Sequence, residues 1–417
     1  MKIAIVGSGI SGITASCLLQ GAHEVTVFEA DERIGGHTHT VDVDGVDGRH
    51  AVDTGFIVYN EATYPNFIRL LERFKVPTQW SDMSFSVEHE ASGRAYASHG
   101  FWSIFADRSA LLSVAQWRLL REILRFNRDA RVYLDSGGQT DTLDDFLRGR
   151  NFSAYFRERY LVPLFSAIWS AAPGDVGAYP ANYFLNFFKN HGLLEVKTGP
   201  RWRVISGGSR TYAEAFTRGW RERVRLNTPV TGIERDEAGV TLRLKGGESE
   251  RFDQVILAVH SDTALRMLRD PSDAERDVLS AMPYQDNEVV LHTDTRLMPR
   301  NRRAWASWNY YLPRTLGAHA TLTYDMNRLQ GLQSQERYLV TLNDTARIEP
   351  SKILRRFRYA HPMYTAAGIA AQRRHGEISG VRRTHYCGAY WGYGFHEDGV
   401  NSALRVAKAF GRDLSHA

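Results

Sequence analysis

The stretch KIAIVGSGISGITASCLLQGAHEVTVFE, residues 2–29, decides the fold. Lys2–Val6 is apolar and β-branched, the pattern of a short buried strand. GSGISG at 7–12 sets Gly7, Gly9 and Gly12 in G-x-G-x-x-G spacing. ISGITASCLLQ predicts a helix, and HEVTVFE predicts a second strand that ends on Glu29, twenty positions after Gly9. Each part has a mechanical reason. Gly7 permits the tight turn, Gly9 lets a pyrophosphate approach the backbone, and Gly12 lets helix and strand pack closely. The helix start, from Ser11 onward, offers free N–H groups and a partial positive charge to phosphate. Glu29 can accept both hydroxyls of a ribose. Strand, turn, helix and terminal acid in register predict a dinucleotide-binding unit.

Length and composition bound the rest. The chain has 417 residues, 43% hydrophobic and 24% charged, which excludes a disordered or low-complexity chain and allows two or three domains. No apolar run reaches the ~20 residues that span a bilayer. Two cysteines, Cys17 and Cys387, exclude a disulfide scaffold and a four-cysteine metal site. The net charge is +5, and only seven of the 52 basic residues are lysine. A mild basic balance suits an anionic cofactor or membrane surface. Without a nucleic-acid module around a basic run, no nucleic-acid partner is expected. Met1-Lys2, with three glycines in the following apolar stretch, departs from a signal peptide, so a cytoplasmic protein is expected. His37, His39 and His50 show no metal-ligand spacing, and no G-x-S-x-G elbow is present, so neither a metal nor hydrolysis is expected.

Downstream, ADERIGGHTHT (30–40) places a Gly-Gly pair just after the acidic strand end, and VDTGF (52–56) adds Asp53 and Gly55. Here the sequence resembles the FAD-dependent amine oxidase and phytoene desaturase superfamily. Its Arg-x-Gly-Gly-Arg segment is matched by Arg33, Gly35 and Gly36, with His37 standing where the family usually has arginine. The far end supplies a second match: RRTHYCGAYWGYGFHEDGVNSALRVAKAFGRDL (382–414) reads as a strand, a glycine-rich loop and a helix. Glu397-Asp398-Gly399-Val400 resembles the turn whose helix start faces the flavin pyrimidine, while Ala389 replaces the usual ribityl-binding acid. RLNTPVTGIERDEAGVTLRLKGG (225–247) and FDQVILAV (252–259) resemble the inserted β-hairpin and returning strand, with the Val230 backbone meeting the adenine. WRVISGGSRTYAEAF (202–216) resembles the Gly-Gly turn that leads a helix back to the cofactor domain.

The resemblance implies an α/β fold: a discontinuous Rossmann-type FAD-binding domain (1–75, 201–262 and 375–417) interleaved with an α+β substrate domain (76–200 and 263–374). It implies one non-covalent FAD. The implied contacts are Gly7, Gly9, Ser11, Gly12, Glu29 and Ala30 at the first strand and helix. Arg33, Gly35, Gly36, His37 and Val230 follow, then Gly388, Gly394, Glu397, Asp398 and Val400 at the far end. Tyr390, Trp391, Tyr393 and Phe395 are expected at the flavin ring, with His396 as proton handler and Tyr59 or Glu61 on the other side. Tyr59, Tyr390, Trp391 and His396 are thus the candidate catalytic residues.

GGHTHTVDV, DTGFIVYNEATYPNF, SDMSFSV, FKNHGLL, HTDTRLMPRNRRAWASWNYY and CGAYWGYGFHEDG further resemble a bacterial subgroup found beside cyclopropane-fatty-acid-synthase-like methyltransferases. That resemblance implies a hydrophobic acyl substrate, a lipid methyltransferase partner and dehydrogenation of an unsaturated or methyl-branched chain. An amine oxidase and a non-catalytic lipid-binding escort are the alternatives. In the substrate domain, WRLLREILRFNRDARVYL (117–134) predicts an amphipathic helix, with Leu120, Ile123, Leu124, Asn127 and Ala130–Arg131 near 3–4 spacing on one face. Its arginine-rich side is either a solvated face or a contact with an anionic membrane at the inner surface of the cell. The aromatics of NYFLNFFKNHGLL (182–194) are either core or tunnel lining.

Overall fold

The computed structural model describes residues 1–98, 104–137, 141–195, 199–315 and 319–417. Lys2–Val6 runs parallel to Glu24–Phe28 on one side and to Gln254–Leu257 on the other. Val224–Arg225 and Thr384–Tyr386 extend these into a five-stranded parallel sheet, in the order 224–225, 24–28, 2–6, 254–257, 384–386. A parallel sheet is covered on both faces, and Ile3, Ala4, Ile5, Val255, Ile256 and Leu257 are all fully buried. One cover is the helix Ile10–Leu19, buried along its whole length and packed on the C-terminal helix His396–Ala409. Glycine sets both approaches. A Cβ on Gly12 would overlap the Gly7 carbonyl oxygen, and one on Gly399 would lie 2.7 Å from Ile10 Cγ2. The α/β architecture expected from residues 2–29 is therefore the one observed, with strands drawn from both ends and the middle of the chain.

The segment read as a hairpin has three antiparallel strands: Val230–Arg235, Val240–Leu244 and Ser249–Phe252. The third, SERF, is too polar to stand out as a strand. The Gly207-Gly208 turn leads from the strand Trp202–Ile205 into the helix Arg210–Thr217, which packs on Ile10–Leu19.

A second, seven-stranded sheet joins residues 85–97 to residues 284–362. Its order is Ile353–Pro362, Tyr284–His292, Leu339–Leu342, Thr321–Asp325, Trp308–Leu312, Phe85–His89, Arg94–Ala97. All pairs are antiparallel except Trp308–Leu312 with Phe85–His89.

Beside it stands a helical layer whose core holds Phe126, Phe146, Phe156, Phe165, Phe184 and Phe188. The aromatics of 182–194 thus belong to this core. The helix Val114–Asp135 buries Leu119, Glu122, Phe126, Asn127, Ala130 and Tyr133. Its inner stripe is displaced from the expected one, and Leu124 is 54% exposed. Two stripes at 3–4 spacing overlap in this sequence, and Phe126 with Tyr133 supplies the larger apolar area to bury. Among the described residues no helix is long and apolar enough to cross a membrane.

Candidate functional site

The carboxyl ends of Lys2–Val6 and Gln254–Leu257 open into a cavity of about 480 Å³ that continues to the seven-stranded sheet. A crevice at that edge is where parallel α/β sheets bind ligands.

The outer part of the wall is backbone. Gly7, Ser8, Gly9, Ile10 and Ser11 form one side. Gly35 and Gly36 lie across it, with Gly35 N–H donating to the Ser8 carbonyl at 3.0 Å. Both have positive φ, 128° and 58°, and a Cβ on Gly36 would come within 3.1 Å of Gly9 Cα. Arg33 clamps this loop from behind, donating to the carbonyls of Gly36 (2.8 Å) and Thr38 (2.9 Å). Its guanidinium is spent on the loop and is not on the cavity wall. Glu29 is on the wall. Its Oε2 accepts from Ser8 N–H at 2.9 Å and Ser8 Oγ at 2.5 Å, and its Oε1, which accepts from Asp31 N–H at 3.0 Å, retains capacity for a further donor.

These residues fit a dinucleotide on three observations. Gly9 has an ordinary φ of −68°, and a Cβ there would meet nothing within 4 Å, so no protein packing explains the glycine. No side chain caps the helix Ile10–Leu19, which leaves its first N–H groups to a ligand. The Glu29 carboxylate lies on the same wall, just after the second strand, where a ribose diol would meet it.

The inner wall is side chains from distant segments: Ile57, Val58, Ile168, Tyr284, Val289, Trp308, Tyr324, Leu342, Tyr359 and Pro362. Glu29, at the other end, is the one carboxylate on the lining among the described residues, and none of those residues puts a lysine or arginine on the cavity. The Trp308 indole N–H is a buried donor without a partner.

Histidines join the two parts. His37, His260 and His361 all line the cavity, with His37 5.7 Å from each of the other rings, centre to centre. His260 stacks on Tyr284 at 4.1 Å, and the Asn287 amide donates to His361 Nδ1 at 3.0 Å. Burial pushes His37 below the usual imidazole range, His260 down to about 4 and His361 to about 3. All three rings are neutral at pH 7. Sequence reasoning missed His260 and His361. His260 stands three residues after the strand beside Lys2–Val6, a signal that could have found it, whereas His361 pairs with Gln285, 76 positions away, and gave none.

His396 also lines the cavity, at the start of the C-terminal helix. Its ring stacks on Phe56 at 3.4 Å, and its Nε2 lies 2.9 Å from Tyr212 OH and 3.1 Å from Thr38 Oγ1. Burial holds its pKa well below the usual range. The imidazole is neutral, and the nitrogen seen bonding faces the protein.

Gly388, Tyr390 and Gly394 are on the wall. Other expected contacts are not. Tyr59 is 2% exposed in the core between Tyr64 and Phe67, and Trp391 packs edge-on against His375 at 4.6 Å. Both are corrected from reacting-centre residues to core residues, because neighbouring positions in a turn or strand face opposite ways. Glu61 pairs with Arg203 at 2.9 Å and is likewise off the wall. The Glu397 carboxylate accepts from Asn66 N–H (3.0 Å) and Phe67 N–H (2.9 Å), capping the helix Pro65–Arg73. Asp398 accepts from Phe395 N–H at 3.0 Å, and burial pushes its pKa up to about 7. Both carboxylates are spent on helix ends. Val230 and Val400 are buried in the packing around the parallel sheet, and Ala30 is off the wall as well. Asp53 explains the VDTGF segment structurally: it accepts from Thr40 Oγ1, Ser209 N–H and Oγ and Gln330 Nε2.

A family model, flavin-containing amine oxidoreductase, matches residues 10–410. Bovine (Bos taurus) flavin-containing amine oxidase A is 27% identical over 268 residues, 62% of this chain and 49% of that protein. The chain thus spans about half the length of this relative. Among solved structures, cyclohexylamine oxidase from Brevibacterium oxydans superposes with a TM-score of 0.69 at 17% identity, covering 99% of both chains. A CLA-producing fatty acid isomerase from P. acnes superposes with a TM-score of 0.71 at 16% identity, covering 98% of both.

Proposed function

The chain belongs to the flavin-containing amine oxidoreductase family, and on that premise we propose an FAD-dependent oxidoreductase that dehydrogenates a hydrophobic acyl chain. An amine oxidase and a fatty acid isomerase share the fold, so fold alone leaves the choice of substrate to the cavity. The observation that carries the reading is the inner wall. Its apolar and aromatic side chains include no carboxylate that would hold an ammonium group, and burying an unpaired charge there is costly. A neutral chain gains by transfer into such a chamber, at about 0.8 kcal/mol per buried CH₂.

FAD, when bound, supplies the acceptor for the hydride of a cleaved C–H bond, while the adjacent carbon releases a proton. The chain's own residues bind, orient and exclude water. The Gly7–Ser11 loop and Glu29 hold the dinucleotide end. His37, His260 and His361, neutral at pH 7, can orient substrate by hydrogen bonds, and the released proton passes to water. His396, tied to Tyr212 and Thr38, is a positioning residue for the first turn of the C-terminal helix.

The second reading, oxidation of an amine, is favoured by the identity to bovine amine oxidase A and requires a neutral, bulky amine in this chamber. Anaerobic mixing of the FAD-loaded protein with two panels separates the readings: unsaturated and methyl-branched fatty acids, free and in phospholipid, against cyclohexylamine and putrescine. Bleaching of the flavin by the acyl panel is expected. Bleaching by amines alone would overturn the acyl reading.

A further inference from the structure

We infer that the outer face of the helix Val114–Asp135, with the turn before it, docks this protein on an anionic lipid bilayer. The inference stands on the surface and not on the acyl reading. Leu112 is 90% exposed, Val114 84%, Trp117 44%, Leu124 54% and Val132 61%. These are half of the ten large hydrophobic residues found exposed in the described chain, and they fall within 21 positions. The opposite face cannot release them inward, because Leu119, Phe126, Ala130 and Tyr133 are already seated in the aromatic core.

The pattern along the helix is specific. At about 100° per residue, Trp117, Arg121, Leu124, Arg128 and Val132 fall within an arc of about 80°. Apolar and guanidinium groups therefore alternate along one line. Arg108 and Arg121 are exposed and have no carboxylate partner among the described residues, and Arg118 reaches Glu122 only at 3.9 Å. Arg128 has Asp129 at 2.9 Å, and Asp135, at the far end of the arc, is paired with Lys189 at 3.2 Å. The turn is held to the helix: Trp117 N–H donates to the Leu111 carbonyl at 2.9 Å, and its ring lies 5.0 Å from Phe105. In water this face leaves its apolar surface uncompensated. At a bilayer interface the leucines, valines and tryptophan enter below the headgroups while the arginines meet lipid phosphate. A solvated helix would carry polar residues at 112, 114, 124 and 132.

The test uses the FAD-loaded protein and vesicles of phosphatidylcholine alone or with phosphatidylglycerol, read by cosedimentation. Wild type is expected to bind the anionic vesicles and to leave them as salt rises. Arg121→Glu/Arg128→Glu should weaken binding at least tenfold, at about 1 kcal/mol per basic residue removed. Leu112→Asp/Val114→Asp should weaken it similarly while leaving flavin absorbance and melting temperature unchanged, since both side chains are exposed. Equal binding to neutral vesicles, wild-type binding by both double variants, or a dimer in sedimentation velocity that Leu112→Asp/Val114→Asp dissolves would each overturn the inference. None of these outcomes depends on substrate turnover, so failure here leaves the acyl reading standing.

Discussion

At one end of the cavity the wall is backbone, and at the other it is side chains. Gly7, Gly9, Gly35 and Gly36 approach one another as bare peptide, held by the Gly35 N–H to Ser8 bond. The inner chamber assembles Ile57 and Val58, Ile168, and Val289, Trp308, Tyr324 and Leu342 from the second sheet. Backbone walls tolerate almost no substitution and dictate one kind of ligand. Side-chain walls can be rebuilt residue by residue. The two ends should therefore fail differently when mutated.

The largest effects separate two kinds of glycine within the outer end itself. Gly12→Val puts a Cβ onto the Gly7 carbonyl oxygen, where only backbone could move. It should destabilise the protein by about 3 kcal/mol or more, read as a fall in the denaturation midpoint even without cofactor. Gly9→Val adds a side chain in open space at an unstrained φ. The apoprotein should melt like wild type yet bind FAD weaker by on the order of 10²-fold, because the ligand's own space is filled. Normal FAD titration of Gly9→Val would break the dinucleotide assignment.

The chamber should respond in substrate and not in cofactor. Ile168→Asp places a carboxylate on the half-buried inner wall. An acyl chain should lose about 1–3 kcal/mol of binding, ten- to a hundredfold in KM, with FAD affinity unchanged. Gain of activity on cationic amines in the same variant would sharpen the view that charge in this chamber selects the substrate.

This division also sets what could be read from sequence. The outer end is one contiguous βαβ unit plus a Gly-Gly loop a few residues on, so spacing alone exposes it. The chamber depends on pairings such as Trp308–Leu312 with Phe85–His89, more than 200 positions apart, which no local pattern records. Position within a turn was equally hidden. Tyr390 reaches the wall and Trp391, its neighbour, does not. Glu397 and Asp398 looked like cofactor contacts, but acids in a first helical turn serve helix ends as readily, and here both do. The helix Val114–Asp135 was legible as a helix, while its inner stripe was not, because two stripes competed.

His396 tests the seam between the two ends. It lines the cavity but is held neutral and bonded to Tyr212 and Thr38. His396→Ala should keep FAD, cost about 1–2 kcal/mol of stability, and slow flavin reduction by less than about tenfold. In wild type the reduction rate should show no inflection near pH 6.5 from this ring. A loss on the order of 10²-fold, with an acid limb near pH 6.5 that the variant lacks, would make His396 a proton carrier instead.

The smallest expected effect concerns acid stability. His39, His191, His260, His292 and His385 are pushed down to about 4 and His361 to about 3, mainly by burial. Between pH 6.5 and 4 the unfolded chain binds protons that these folded rings refuse. Stability is therefore whole above pH 6.5 and falls as pH drops through that window. Three buried carboxylates oppose it: Asp53 and Asp344 are raised to about 6 and Asp398 to about 7, so the folded state takes up protons there first and gains on acidification. Six rings outweigh three acids, and the melting temperature of the apoprotein should be lower at pH 5.5 than at pH 7.5. His361→Gln should flatten that difference by about 1.4 kcal/mol, one pH unit of one proton. The comparison of the two ends sharpens this further. His37, His260 and His361 share the cavity with the glycine loop, so a bound dinucleotide brings its negative charge to the rings and makes protons less unwelcome. The holoprotein should lose less stability between pH 6.5 and 5.5 than the apoprotein. Parallel slopes for the two forms would place the bound phosphates away from these rings and confine them to the helix start at Gly9–Ser11.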